Sequence, residues 1–259
     1  TSKHVYILNV GNPALLYQIS KEDSSAKLVY EERHEKVFFD SMQFWNNTEG
    51  IAMGDPVEDC LNIIVTRDGG NSWNKIPCDK LPKVLTGEAA FAASNTNIII
   101  KENNTWIVSG GKSSRAFYSP DRGNTWEVYD TPIVQGKTMT GIFTADFYDS
   151  KIGFVAGGDY ENRNQNFGNK AITKDGGKTW KLIAENHGFG YASCVQYVPN
   201  SKGKSIVSVG FSGVYYSSNA GETWKQLSSD ATLNTIRFIN ETTAVAAGQN
   251  KMIRITFKK

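Results

Sequence analysis

The sequence predicts an all-β protein, a β-propeller built from four-stranded antiparallel blades. An eight-residue motif occurs four times, beginning at Thr66, Ser119, Thr173 and Ser217. Between the copies a second pattern recurs, in which an apolar strand, a polar turn and a strand ending in glycine follow one another. No stretch of ten or more residues has helical periodicity. Self-similarity at a period of roughly 50 residues is typical of an array of equal supersecondary units.

Each copy of the motif has the composition of a tight turn between two strands. Its third position is acidic in three copies, and its last position is always tryptophan; these residues are Asp68, Asp121 and Asp175, with Asn219 in the fourth copy, and Trp73, Trp126, Trp180 and Trp224. The neighbouring glycines tolerate left-handed backbone conformations, and the carboxylate can accept backbone N–H groups inside the turn. A motif that is repeated and satisfies itself favours a structural turn over a catalytic acid.

Adding the strands on either side of the motif gives four strands per unit, which is a propeller blade. We place the chain in one domain, 1–259, with blades at approximately 1–33, 37–77, 87–130, 140–184, 190–228 and 233–259. The first unit lacks an inner strand and the last lacks an outer one. Either the six units close a ring, or a leading blade has been lost from a seven-bladed parent. We favour seven blades, because both terminal units are incomplete and an open edge would be exposed.

Composition excludes several classes of function. The net charge is +2 with both signs interspersed, so nucleic-acid binding has no electrostatic support. No apolar run reaches membrane-spanning length, and we expect a monomer without membrane insertion. No phosphate loop, dinucleotide fingerprint or metal-ligand spacing is present, so we expect no cofactor and no metal. Cys60, Cys78 and Cys194 leave open a Cys60–Cys78 bridge or three free thiols.

Blade geometry sorts the loops onto two faces. The four motifs lie on one face, and the loops between second and third strands lie on the opposite face around the channel. Acids on this opposite face would converge, and the catalytic candidates are Asp55, Glu88 and Asp159. The ligand-binding candidates are Asp40, Arg115, Tyr160, Arg163 and Tyr191. The alternative is that these acids cap turns and the aromatic residues pack between blades.

The four motifs resemble the Asp box, Ser/Thr-x-Asp-x-Gly-x-Thr/Ser-Trp, of BNR-type repeat propellers. Further segments resemble bacterial exported propellers related to the photosystem II stability/assembly factor group: Phe38–Met42, Gly54–Pro56, Gly87–Ser94 and Gly157–Tyr160. This resemblance implies an exported propeller with an extra Asp-box blade ahead of residue 1, and a chain that begins at Thr1 without a signal peptide is then a processed or truncated one. Members of the group are often named oxidoreductase or glycosyl hydrolase, but no cofactor motif supports the first name.

Two hypotheses follow. The leading one is a non-catalytic binding or assembly propeller, periplasmic or extracellular, that binds a protein or glycan partner on the face opposite the Asp boxes. The alternative is a glycoside hydrolase that uses a carboxylate pair in the central pocket. Sialidases share the Asp box and clamp a carboxylate with three arginines, for which Arg115, Arg163 and Arg237 are the available residues.

Overall fold

The computed structural model describes residues 1–257, which form antiparallel sheets arranged as blades. Blade 1 contains β1 (His4–Leu8), β2 (Ala14–Ser20) and β3 (Ala26–Glu32). Blade 2 contains β4 (Phe39–Phe44), β5 (Gly50–Gly54), β6 (Asn62–Thr66) and β7 (Asn74–Lys75). A short 3-10 helix (Cys78–Lys80) follows blade 2.

Blade 3 contains β8 (Glu88–Ala89), β9 (Ile98–Lys101), β10 (Asn104–Val108), β11 (Gly110–Gly111), β12 (Arg115–Ser119) and β13 (Glu127–Asp130). Blade 4 contains β14 (Thr140–Phe147), β15 (Gly153–Asp159), β16 (Lys170–Thr173) and β17 (Lys181–Leu182). Blade 5 contains β18 (Cys194–Tyr197), β19 (Ile206–Gly210), β20 (Gly213–Ser217) and β21 (Lys225–Ser228). Blade 6 contains β22 (Leu233–Phe238), β23 (Thr243–Gly248) and β24 (Lys251–Thr256).

Each blade is a meander in which consecutive strands pair, and the first strand is the innermost. The first strands of neighbouring blades contact one another: β4 with β9, β9 with β14, β14 with β18, and β18 with β22. Blade 3 departs from the pattern, because its first strand is split into β8 and β9 and its second into β10 and β11. The short pieces β8 and β11 hydrogen-bond to β14, so they join the sheet of blade 4.

The core lies between blades rather than inside one of them. Strand β5 is buried along its whole length because both of its faces are covered. Ile51 and Met53 pack towards blade 3, whereas Ala52 between them packs towards blade 1. This division follows from the two-residue period of a strand. Similar clusters join blades 3 and 4, 4 and 5, and 5 and 6.

The two terminal blades each have three strands, as the sequence predicted. Among the described residues, no apolar cluster joins blade 1 to blade 6. Blade 1 exposes a stripe of large apolar side chains on the face turned away from blade 2: Val5, Ile7, Tyr17 and Leu28. The parent propeller's blade number stays a prediction.

The Asp boxes are tight turns closed by their own side chains. In the second copy, Asp121 accepts hydrogen bonds from the Ser119 hydroxyl and from the amide and hydroxyl of Thr125. The Ser119 oxygen in turn accepts the Gly123 amide, and the Trp126 indole donates to the Gly123 carbonyl. In the fourth copy the Asn219 amide oxygen accepts the bonds from Ser217 and Thr223, so the turn is kept without a charge.

A disulfide joins Cys60 to Cys78 and ties the loop before β6 to the 3-10 helix after β7. Of the two possibilities that the sequence left open, the structure has the bridge. Cys194 is the free cysteine and is buried between blades 5 and 6.

Candidate functional site

A cavity of about 790 Å³ opens at the centre of the face opposite the Asp boxes. Residues from blades 2 to 6 and their connections line it, and they include five of the residues predicted for binding or catalysis: Asp40, Asp55, Tyr160, Arg163 and Tyr191. The cavity therefore lies where blade geometry placed the opposite-face site.

Irregularities in the innermost strands position the side chains that line this cavity. The pairing of the first two strands is interrupted by one extra residue in blades 2, 4 and 6, and these residues are Asp40, Phe143 and Asn234. Ser193 occupies the corresponding place in blade 5, directly before β18. All four line the cavity. A β-bulge bends its strand and redirects a side chain, which explains why these four residues all line the cavity.

The bulges explain why the second strand of a blade ends in glycine. A Cβ atom on Gly54 would lie 2.0 Å from the Phe38 carbonyl oxygen, and one on Gly248 would lie 1.6 Å from that of Thr232. The chain entering the innermost strand passes too close for any side chain there. Each of these glycines thus marks the point where the second strand passes the chain that enters the innermost strand of the same blade.

The segment between β8 and β9 closes the channel beneath the cavity. It crosses towards blade 5, where the Ser94 hydroxyl donates to the Ser193 carbonyl at 2.6 Å. It also reaches blade 6, because Arg237 donates to the Ser94 carbonyl at 2.8 Å. The cavity is therefore a pocket with a hydrogen-bonded floor made by residues 91–96.

Asp40 and Asp55 form an acidic pair on one side of the cavity. Asp40 is only 8 % exposed, and within residues 1–257 neither of its carboxyl oxygens has a hydrogen-bond partner. Burial raises the pKa of Asp40 to about 8, and the negative charge of Asp55 adds to this effect. Burial also raises the pKa of Asp55, although its Oδ1 accepts the Ala90 amide at 2.8 Å.

Aromatic rings form the other side. Phe91, at the start of the floor segment, stacks on Phe143 with a centroid distance of 3.9 Å. Phe143 meets Tyr191 edge-on at 4.8 Å, and Tyr191 meets Tyr160 at 5.2 Å. Four rings from three blades thus make one continuous wall.

Arg163 lies at the rim between two aromatic rings. Its guanidinium carbon is 4.1 Å from the Tyr160 ring centroid and 4.8 Å from that of Phe211. Its Nε donates to the Tyr160 carbonyl at 3.0 Å. Within the described part of the chain its terminal nitrogens make no hydrogen bond. The planar cation at the rim therefore has free N–H donors for a ligand.

Glu88 and Arg115 lie outside the cavity and bind each other. The carboxylate accepts from Arg115 Nε at 3.0 Å and Nη2 at 2.5 Å, and its side chain is fully buried. Ser109 and the Leu85 amide also donate to it. A buried bidentate pair with satisfied oxygens is an internal brace between strands, and neither residue faces the cavity.

Asp159 also lies outside the cavity. Its Oδ1 accepts the amides of Glu161 and Asn162, and its Oδ2 binds Lys137 at 2.9 Å. Burial by itself would raise the pKa of Asp159, but the Lys137 ammonium and these amides hold that pKa below its usual range. The predicted convergence of Asp55, Glu88 and Asp159 is not observed, because only Asp55 lines the cavity.

The three arginines proposed for a carboxylate clamp are likewise apart. Arg115 is paired with Glu88, Arg237 is bonded to the floor segment, and only Arg163 of the three lines the cavity.

Among residues 1–257 no three histidine, cysteine, aspartate or glutamate side chains are grouped to hold a metal ion. None of the helices in that range is long and apolar enough to cross a bilayer.

Sequence reasoning predicted two rings of the aromatic wall, Tyr160 and Tyr191, and missed five other residues that line the cavity: Phe91, Phe143, Ser193, Phe211 and Asn234. The bulge residues could have been recognised in the sequence. Each lies near the start of an inner strand, across from a glycine near the end of the second strand of its blade. Phe211 could not have been recognised in this way, because its contact with Arg163 joins different blades.

Comparison with known proteins agrees with this fold. A family model described as BNR/Asp-box repeat matches residues 171–182. No curated protein matches the chain in sequence. Among solved structures, one described as YCF48 bound to D1 peptide aligns with 17% identity and a TM-score of 0.48, over 100% of this chain and 91% of the other.

Two glycoside hydrolase structures also align. A GH74 enzyme of Niastella koreensis has 13% identity and a TM-score of 0.56, over 98% of this chain and 50% of that one. An ancestral GH74 enzyme has 10% identity and a TM-score of 0.60, over 97% of this chain and 36% of that one. The chain thus spans half the length of these enzymes or less, and the likeness shows the fold. The Asp-box match and the propeller fold confirm the resemblance and the fold class predicted from the sequence.

Proposed function

We propose that this protein is an exported, non-catalytic binding propeller that holds a segment of a protein partner in the cavity opposite the Asp boxes. The observation that carries the proposal is Arg163, whose guanidinium group lies over the rings of Tyr160 and Phe211 at the rim and has unused donors. Preformed aromatic and cationic groups around a pocket are typical of recognition sites. A glycan could use the same rings for stacking, and the test below includes it.

The closed floor supports binding over passage through the channel. Hydrogen bonds at Ser94 and Asn95 join residues 91–96 to blades 2, 5 and 6, so a ligand would enter and leave by one mouth. A volume of about 790 Å³ has room for a few side chains and not for a folded domain. The Cys60–Cys78 disulfide supports export, because such bonds persist in oxidising compartments.

The test is a screen of an immobilised peptide library and a glycan array, followed by calorimetric titration of the best ligand. We expect Arg163→Ala and Tyr160→Ala each to weaken binding at least about tenfold, roughly 1.4 kcal/mol. Arg33→Ala is the matched control, because Arg33 is exposed, pairs with Glu31 and does not line the cavity. Equal affinity of Arg163→Ala and the unmodified protein would contradict the proposal.

Glycoside hydrolysis is the second candidate, and the observation that favours it is the Asp40–Asp55 pair. Two carboxyl groups that share a partly buried site, where burial raises the pKa of both, are suited to the roles of an acid and a nucleophile or base. Release of nitrophenol from a panel of nitrophenyl glycosides measures this activity. Turnover that is lost in Asp40→Asn and in Asp55→Asn would favour the hydrolase over the binding function.

A further inference from the structure

Asp40 is the most unusual polar side chain of the cavity, since it is buried and both of its oxygens lack partners. Buried carboxyl groups are nearly always hydrogen-bonded, and an exception calls for an explanation. Here the β-bulge turns Asp40 towards the cavity, beside Asp55. An arrangement that costs stability in the empty protein and faces a binding pocket is suited to a positively charged group of the ligand.

The number of free acceptors identifies the kind of cation. Asp55 Oδ1 is engaged by the Ala90 amide, and Asp55 Oδ2 has no hydrogen bond within residues 1–257. Together with the two oxygens of Asp40, three acceptors are left. A primary ammonium carries three N–H donors and no acceptor. A calcium ion takes six to eight oxygen ligands, which two carboxylates do not supply, and no third acidic side chain is grouped with them in the described chain.

The surrounding wall suits an ammonium on an apolar stem. Phe38 precedes Asp40 on blade 2 and lines the cavity, and so do Phe91 and alanines 89, 90, 92 and 93 of the segment whose Ala90 amide binds Asp55. Aromatic faces attract cations, and apolar surface accommodates the methylene chain of lysine. Arg163 lies at the opposite rim, so a ligand that bridges the cavity meets negative charge at one side and positive charge at the other.

We infer that Asp40 and Asp55 form a receptor for a primary ammonium group, supplied by a lysine side chain or a free amino terminus of the bound peptide. This inference rests on the proposed binding function and names the chemistry of its ligand. The ammonium donates to the free oxygen of Asp55 and compensates the charge of Asp40, whose oxygens are buried just behind the cavity surface.

The experiment uses four small probes with the whole chain, titrated by NMR. N-acetyl-lysine methylamide carries a side-chain ammonium, glycine methylamide carries a terminal one, N-acetyl-norleucine methylamide is the neutral control, and calcium chloride is the metal control. We expect the lysine or the glycine probe, or both, to shift resonances of Ala90 and Phe91, with no effect of the norleucine probe. The stronger of the two amines tells which source the receptor prefers.

Charge removal tests the two carboxylates separately. Asp40→Asn and Asp55→Asn keep the side-chain shape, and each is expected to lower the affinity for the amine probe at least about tenfold. Asp59→Asn is the control, because Asp59 follows Asp55 in the same loop but is exposed and pairs with Lys83. Thermal unfolding of each variant shows that it is folded before it is titrated.

The protonation of Asp40 supplies a further readout. Because burial and Asp55 raise its pKa to about 8, binding an ammonium at pH 6.5 must displace a proton from this pair. Of the other charged or titratable groups that line the cavity, Arg163 lies at the opposite rim, and Tyr160 and Tyr191 lie in the opposite wall. We expect the affinity for the lysine probe to rise up to about tenfold per unit between pH 6 and pH 8, and Asp40→Asn to abolish this rise.

Three results would overturn the inference: equal binding of the norleucine probe, amine binding that is unchanged in Asp40→Asn and Asp55→Asn, or occupation of the site by calcium in preference to the amines. The proposed function fails in a different way. A library peptide whose binding depends on Arg163 but not on Asp40 would leave the binding function intact and remove the ammonium receptor.

Discussion

The side-chain oxygen of Asn95 accepts two hydrogen bonds from the inner strand of blade 2, one from the Ser41 hydroxyl and one from the Met42 amide, both at 2.8 Å. Asn95 belongs to the segment that leaves blade 3 and closes the channel. It has a positive φ of 57°, a conformation that asparagine tolerates better than most residues. This one side chain thus fastens the cavity floor to the blade that carries Asp40.

Asn95→Gly tests this fastening, because glycine keeps the backbone conformation and removes only the amide group. The Met42 amide and the Ser41 hydroxyl would lose their acceptor, so we expect the free energy of unfolding to fall by about 1–3 kcal/mol. Chemical denaturation measures it. Asn186→Gly is the control, since Asn186 also has a positive φ but is exposed in a loop. Equal stability of the two variants would contradict the assigned role.

Asp40→Asn should change how stability depends on pH. The folded-state pKa of Asp40, about 8, lies above its unfolded value of about 4. The stabilisation from this group is therefore complete below pH 4 and is lost as pH rises towards 8, by up to roughly 1.4 kcal/mol per unit. Urea denaturation at pH 5 and pH 8 should show a smaller loss in Asp40→Asn than in the unmodified chain. Asp55, whose pKa is also raised, accounts for part of the remaining slope. An identical slope in both proteins would show that Asp40 is ionised throughout.

The Asp boxes should respond to pH in the opposite direction. Burial by itself would raise the pKa of Asp121, but hydrogen bonds from Thr125 and Ser119 hold that pKa below its usual value. Hydrogen bonds within its own turn lower the pKa of Asp175 in the same way. Their stabilisation is present above about pH 4 and is lost as pH falls through the lowered folded values. The fourth turn, with Asn219, has no such dependence. We expect Asn219→Asp to raise the melting temperature at pH 7 and to lose this gain at pH 3; a gain that persists at pH 3 would contradict the ionic explanation.

Removal of the disulfide should destabilise the chain without changing the blades. The bridge closes a loop with a sequence separation of 18, for which the chain-entropy argument gives about 3 kcal/mol. Cys60→Ser with Cys78→Ser should lower the denaturation midpoint, and a reducing agent should bring the unmodified protein to the same midpoint. Cys194→Ser serves to show that the free thiol does not cause the effect of the reductant. A midpoint insensitive to reduction would mean that the bridge contributes nothing to stability.

Repeated local chemistry determined most of the fold from the sequence alone. The Asp-box turns depend on residues within four positions of the acid, as the bonds that Thr66 and Ser72 donate to Asp68 show. Alternating apolar residues placed the strands, and the direction of each meander then sorted the loops onto two faces. These signals are local, so no other part of the chain was needed to interpret them.

The arrangement of the site depends on contacts between blades, and the sequence does not show which of these contacts form. Asp40, Glu88 and Asp159 all lie at or next to strand ends on the same face, yet Arg115 pairs with Glu88, Lys137 binds Asp159, and Asp40 is left without a partner. A shift of one residue at a bulge decides whether a side chain enters the cavity or packs between blades. The sequence by itself therefore determined the blades, the Asp boxes and the face on which to search. Only the tertiary structure decided which acids remain free in the cavity, because that choice depends on partners far away in the chain.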